Sequence, residues 1–135
     1  MKRNKIVYGV FVLAILLWSV SCNYDPHLRG KELYTYYCAN CHMEKGEGLR
    51  GLIPPLANSD YVQNNRELLP CIIRNGMEGE IVVNGKTYNQ PMAGIPEIPE
   101  GDIANLINFI NMNWGNNGKF MSHEQVIQYL DACDD

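Results

Sequence analysis

The stretch Cys38-Ala39-Asn40-Cys41-His42 decides how the rest of the chain is read. Two thiols three positions apart, followed at once by an imidazole, form the attachment signature of a c-type haem. The thiols add across the two vinyl groups as thioethers, and the short spacing leaves His42 beside the iron as a ligand. Two other chemistries use a Cys-x-x-Cys pair. A thioredoxin-like redox pair follows a strand in a βαβ pattern, and a structural zinc site needs a second ligand pair at matching spacing. Neither context accompanies this motif. One haem c, covalent through Cys38 and Cys41 with His42 on the iron, is therefore the expected cofactor.

A length of 135 residues indicates one domain. The formal charge of −4 and ordinary apolar content exclude a disordered acidic chain and a basic nucleic-acid binder, so no nucleic acid is expected as a partner. A domain of about 85 residues has only a marginal core, which a large bound cofactor would enlarge. The haem-free chain is expected to be largely unfolded.

Before the motif, residues 1–21 read as a signal segment: Lys2, Arg3 and Lys5 make a basic start, and Ile6 to Val20 form an apolar run. Ser19-Val20-Ser21-Cys22 resembles a bacterial lipobox, although Ser19 stands where leucine is usual. Cys22 is thus the expected lipidation site, with an uncleaved anchor or a plain signal peptide as alternatives. The apolar run is shorter than the about 20 residues needed to span a bilayer. Every one of these readings places the domain outside the cytoplasm. Removing residues 1–21 takes away three positive charges and leaves 8 basic against 15 acidic side chains, a net −7. Residues 22–28, with Pro26, are read as a tether.

From Arg29 the pattern turns helical, with Leu33, Tyr34 and Tyr37 leading into Cys38. Gly30 costs helix propensity and calls for a close packing partner. After His42, three glycines and mixed charges mark a loop, and Leu52 to Leu56 make its end apolar. A proline carbonyl there would accept the His42 Nδ1 proton and fix the tautomer. Arg66 to Asn75 reads as a short helix ending at Gly76, with Asn64 and Glu67 as capping partners; Pro70 requires it to kink or to begin there. Asn84-Gly85, between Ile81-Val82-Val83 and Lys86-Thr87-Tyr88, predicts a small hairpin.

A six-coordinate electron-transfer haem needs a second axial group, and a thioether opposite histidine raises the potential. Met92, in the extended Gln90-Pro91-Met92-Ala93-Gly94 loop, is the expected ligand; Met77, at a glycine-flanked turn, is its rival. The last strong helix runs from Glu100 to about Trp114, with Ile103, Leu106, Ile107 and Ile110 as one stripe and Phe109 beside it.

From Gly30 to about Trp114 the chain resembles the class I monohaem cytochromes c. Gly30, Tyr34, Cys38, Cys41 and His42 match the family's glycine, aromatic and haem-binding positions, and Met92 precedes Leu106 and Phe109 at the family's spacing. The resemblance implies an all-α class I cytochrome c fold, with crossed N- and C-terminal helices around one covalent haem and a short β-hairpin. The helices would cross closely at Gly30. It implies that Pro54 supplies the carbonyl that holds His42 and that Leu56 packs on the haem. Tyr88 and Trp114 resemble family aromatics near the haem or its propionates, with plain packing as the alternative for each.

Cys71 and the C-terminal extension, with its Cys133, depart from the pattern. Cys71 is an extra cysteine in the middle helix, and residues 116–135 extend the domain at 29–115. The extension predicts a further helix, with Ser122 and Gln125 as a capping box, Val126, Ile127 and Leu130 as its apolar face, and Cys133 at its end. Cys71 would be a small buried hydrophobe or the partner of Cys133 in a disulfide. His27 and His123 read as solvated residues.

The function expected is single-electron transfer at a membrane surface in a respiratory chain, by a carrier rather than an enzyme, with no small-molecule substrate. Its partners would be a reductase and an oxidase or terminal reductase, and the membrane itself through Cys22. A haem enzyme or gas sensor with an open iron site, in which Arg74 would lie near the haem, is one alternative. A cytochrome subunit permanently docked in a larger oxidoreductase is the other.

Overall fold

The computed structural model describes residues 25–133; the signal segment and Cys22 lie outside them. Helix α1 (Pro26–Tyr37) begins earlier than the expected boundary at 29, within the stretch read as a tether. The reason is local: the Asp25 carboxylate accepts from the His27 and Leu28 N–H groups, and Pro26 occupies the first turn, where its missing donor costs nothing. At Cys38 the helix breaks, and a single turn, α2 (Ala39–His42), carries the second thiol and the imidazole. Met43, at φ 64, ends that turn and reverses the chain.

A short helix α3 (Asp60–Asn64), capped by Ser59, was not anticipated. It corrects the expected cap of the next element, since Asn64 closes α3 instead. After a 3₁₀ turn (Arg66–Leu68), helix α4 (Leu69–Asn75) starts with Pro70 in its first turn and without any side-chain cap. Proline has settled where the helix begins, because φ is preset and no hydrogen bond is lost there.

The Asn84-Gly85 hairpin joins β2 (Ile81–Val83) to β3 (Lys86–Tyr88), with both turn residues at positive φ as a tight right-twisted hairpin requires. A second antiparallel pair, which the sequence reading did not contain, joins β1 (Gly76–Met77) to β4 (Met92–Ala93).

Helix α5 (Glu100–Met112) buries Ile103, Leu106, Ile107 and Phe109 in the core and packs closely on α1. At Gly30 the two helices touch: a Cβ there would meet the Asn105 carbonyl oxygen and lie 2.7 Å from Phe109 Cβ. Arg29 fastens the same crossing, donating from Nε to Asp102 at 3.0 Å and from Nη2 at 2.5 Å. Tyr34, Phe109 and Trp114 stack as a ring cluster with centroids 4.9–5.6 Å apart.

The C-terminal extension forms helix α6 (His123–Asp131) with the expected Ser122/Gln125 capping box. Val126 is fully buried, whereas Ile127 is 41% exposed and is corrected to a surface position. Asn108 holds the approach to α6, bonding both the N–H and the carbonyl of Met121. Cys71 of α4 and Cys133 form a disulfide, with Cα atoms 5.7 Å apart. Among the described residues no helix is long and apolar enough to cross a membrane.

Arg74 reaches from α4 to the Ile98 carbonyl and the Glu100 carboxylate, each at 2.9 Å. That hydrogen bond holds the Glu100 carboxyl below its ordinary value of 4.5. Because the folded-state value is the depressed one, this stabilisation is complete above the ordinary value and is lost as pH falls below it. Glu100→Gln should therefore narrow the stability difference from the natural protein as urea melts move from pH 7 to pH 3.

Candidate haem site

A cavity of about 280 Å³ opens between α2, the 53–54 loop, the two ribbons and α5. Cys38, Cys41, His42, Pro54, Tyr88 and Met92 all stand on its wall, as does Met77. The remaining lining is largely apolar: Ile53, Ile73, Ile81, Ile95 and Leu106.

Each polar member is placed by local backbone chemistry. Cys38 caps α1, and its carbonyl accepts from the N–H groups of Cys41 at 3.1 Å and His42 at 2.8 Å, so one helical turn presents both sulfurs and the imidazole together. Both thiols are free; Cys38 is buried and Cys41 exposed. Burial pushes the Cys38 thiol up to about 12, with the neighbouring Cys41 adding to the effect, so it stands here as a neutral thiol.

His42 is buried, and its Nδ1 lies 3.1 Å from the Pro54 carbonyl oxygen. A carbonyl can only accept, so this contact assigns the proton to Nδ1 and the lone pair to Nε2. Burial lowers the His42 pKa while the Pro54 bond acts in the opposite direction. The neutral imidazole that results is the form that ligates metals. Tyr34 braces the turn from behind, its hydroxyl donating to the Met43 carbonyl at 2.7 Å. Burial raises the Tyr34 pKa and keeps that hydroxyl a donor.

The Pro54 carbonyl is itself held by a residue that sequence reasoning did not single out. Gly48, at φ +68, donates to the His42 carbonyl at 3.0 Å. A Cβ on it would lie 2.5 Å from the Ile53 oxygen and 2.7 Å from the Pro54 oxygen. Only the missing side chain lets the loop fold back this closely. Gly48→Ala is expected to cost about 2–4 kcal/mol, from left-handed strain plus displacement of the Ile53–Pro54 segment; a urea melt would measure it. The three-glycine composition of this loop signalled a turn, without saying which glycine faces the proline.

Two expected positions lie elsewhere. Leu56 is not on the cavity wall; it packs against the core beneath, its N–H bonded to the Gly46 carbonyl and its carbonyl to Asn116. Trp114 packs in the ring cluster with Tyr34 and Phe109 and is not on the cavity wall. Arg74 is turned away as well, engaged with Ile98 and Glu100 at the α4–α5 junction. Residue spacing identifies a proline or leucine but not which way a loop turns it.

Two unpaired thiols, an imidazole with a lone pair on Nε2, two thioethers and an apolar wall make up the donor set, and it fits a covalently attached haem. Among the described residues no three His, Cys, Asp or Glu side chains gather as a metal-binding group.

Comparison with known proteins points to the same cofactor class. The family model described as Cytochrome c matches residues 28–114. A cytochrome c-552 of Thermus thermophilus is 33% identical over 90 residues, covering 64% of this chain and 68% of that protein. A second cytochrome c-552 from that species is covered to 60%. The cytochrome c subunit of a quinone alcohol dehydrogenase from Gluconobacter oxydans is 32% identical over 105 residues, which cover 75% of this chain but 21% of the subunit. A match across most of the described domain, on a cavity lined by Cys38, Cys41 and His42, places this chain in the cytochrome c family, the electron carriers built on covalently bound haem c.

Proposed function

We propose that the protein is a single-electron carrier with one haem, attached through Cys38 and Cys41 and ligated by His42 and Met92. The observation that carries this reading is the gathering of both thiols, a Pro54-oriented imidazole and a thioether on one apolar cavity. When bound, the haem iron supplies a one-electron ferric/ferrous couple. The chain's own residues tune and protect it. Pro54 keeps the proton on His42 Nδ1, so that Nε2 stays available and electron-rich. Ile53, Ile73, Ile95 and Leu106 exclude water, which disfavours the more charged ferric state and raises the potential, as the Met92 thioether also does. Tyr88 closes the same wall from the hairpin. With His42 and Met92 both holding the iron, the same ligands would serve both oxidation states and little would reorganise on transfer.

Arg74, placed near the haem in the enzyme or sensor alternative, is engaged instead with Ile98 and Glu100, which favours transfer over activation of a small molecule. The relatives named as alcohol dehydrogenase cytochrome c subunits support a second setting for the same chemistry, a domain docked in a larger oxidoreductase. The carrier is proposed to work outside the cytoplasm, beside membrane-bound reductase and oxidase partners, held through a lipid on Cys22. Cys22→Ala should release it from the membrane fraction, and mass spectrometry of the extracted natural protein should show the acyl mass.

The decisive measurement is an optical spectrum of the full-length holoprotein. Low-spin bands, a weak far-red band from thioether-to-ferric coordination, and no response of the reduced form to carbon monoxide are expected. A high-spin spectrum with ready carbon monoxide binding would overturn the carrier reading.

A further inference from the structure

Met77 and Met92 are direct cross-strand partners in the β1–β4 ribbon, and both line the cavity. Residues directly opposite in an antiparallel pair project from the same face, with Cβ atoms about 4.5–5.5 Å apart. Methionine is unbranched, with rotatable bonds out to its sulfur, so a thioether at either position can sweep a shared volume. From these observations we infer that Met77 is a reserve axial ligand, a second thioether that takes the iron's sixth position when Met92 is not there. The inference rests on the haem ligation proposed above. The exchange needs no outside reagent: one iron–sulfur bond breaks, another forms, and no electron or proton moves.

The ribbon is built to keep the two sulfurs together. A Cβ on Gly76 would meet the Met92 carbonyl oxygen and lie 2.7 Å from the Gly94 nitrogen. A Cβ on Gly94 would lie 2.5 Å from both the Arg74 oxygen and the Gly76 nitrogen. The Ile95 N–H then bonds the Ile73 carbonyl at 2.9 Å. The backbones that carry Met77 and Met92 are thus stitched to each other and to α4, so losing one side chain leaves the other in place. The remaining methionines of the described residues are not on the cavity wall. Met43 follows His42 directly, Met112 is exposed, and Met121 is buried beneath α6.

The test uses the full-length holoprotein with Met77→Leu, Met92→Leu and both together. Leucine keeps the apolar volume, and a circular dichroism melt shows that each variant is folded. The ferric far-red band and the carbon monoxide affinity of the reduced form are read for each. Met77→Leu should keep the band and stay closed to carbon monoxide. Met92→Leu should keep a thioether band of altered position, and only the double variant should lose it. If Met77 occupies the iron nine-tenths of the time, Met92→Leu binds carbon monoxide about tenfold more weakly than the double variant. If Met92→Leu alone already matches the double variant, the inference is overturned and the His42/Met92 proposal stands. Loss of the band in Met77→Leu with its retention in Met92→Leu would overturn both, making Met77 the resident ligand.

Discussion

Gly30→Val is expected to leave little folded holoprotein, with a loss of about 4 kcal/mol or more against the 5–15 kcal/mol that a domain of this size has in total. Two effects oppose each other at this position. Within α1 alanine or valine improves on glycine's helix propensity, by about 1 kcal/mol for alanine. Across the crossing, however, a Cβ at 30 would collide with the Asn105 carbonyl and the Phe109 Cβ. Both belong to α5, whose buried face carries Ile103, Leu106 and Ile107, so the collision separates the two helices that make the core. Overpacking of that kind costs about 1–3 kcal/mol for a single methyl and more for a branched residue, so the crossing wins over the propensity. Urea melts should rank natural protein above Gly30→Ala above Gly30→Val. A stabilised alanine variant would mean that α1 and α5 can separate without penalty.

The second large effect is expected from the double replacement Cys71→Ser with Cys133→Ser. The disulfide closes a loop with a sequence separation of 62 residues. In the chain-entropy model such a loop is worth about 4 kcal/mol of stability. With a urea dependence of about 2 kcal/mol per molar, the midpoint should fall by about 2 M. The contacts that still hold α6 then include the buried Val126, the partly buried Tyr129 and Leu130, and the paired Asn108–Met121 hydrogen bonds. The natural protein in strong reductant should reproduce the variant's midpoint. An unchanged midpoint would mean that packing alone secures the extension.

Several elements were legible because their signals are complete within a few residues. Cys38, Cys41 and His42 form their group within a single turn. Asn84-Gly85 carries its own positive-φ conformation, and Ser122 with Gln125 closes its own capping box. The stripe of α5 follows from one helical period. The start of α1 is encoded just as locally, because Asp25-Pro26 is itself a helix-start signal.

Other features depend on which distant segments come to lie together. Met77 and Met92, 15 residues apart in the sequence, become partners only when β1 and β4 pair their backbones. Leu56 and Ile53 differ little in composition, yet the Gly48 turn sends Ile53 to the cavity and Leu56 to the core. Cys71 and Cys133 meet because α6 docks on α4, and Asn116 is buried because its amide bonds the carbonyls of Leu56 and Ile110. The sequence by itself determined the cofactor chemistry and most helical segments, since covalent attachment, capping and amphipathic period are short-range. Tertiary structure alone decided that Met77 faces Met92, that Leu56 leaves the cavity wall and that Asn116 is buried, because backbone pairing and packing between remote segments select among residues that are locally equivalent.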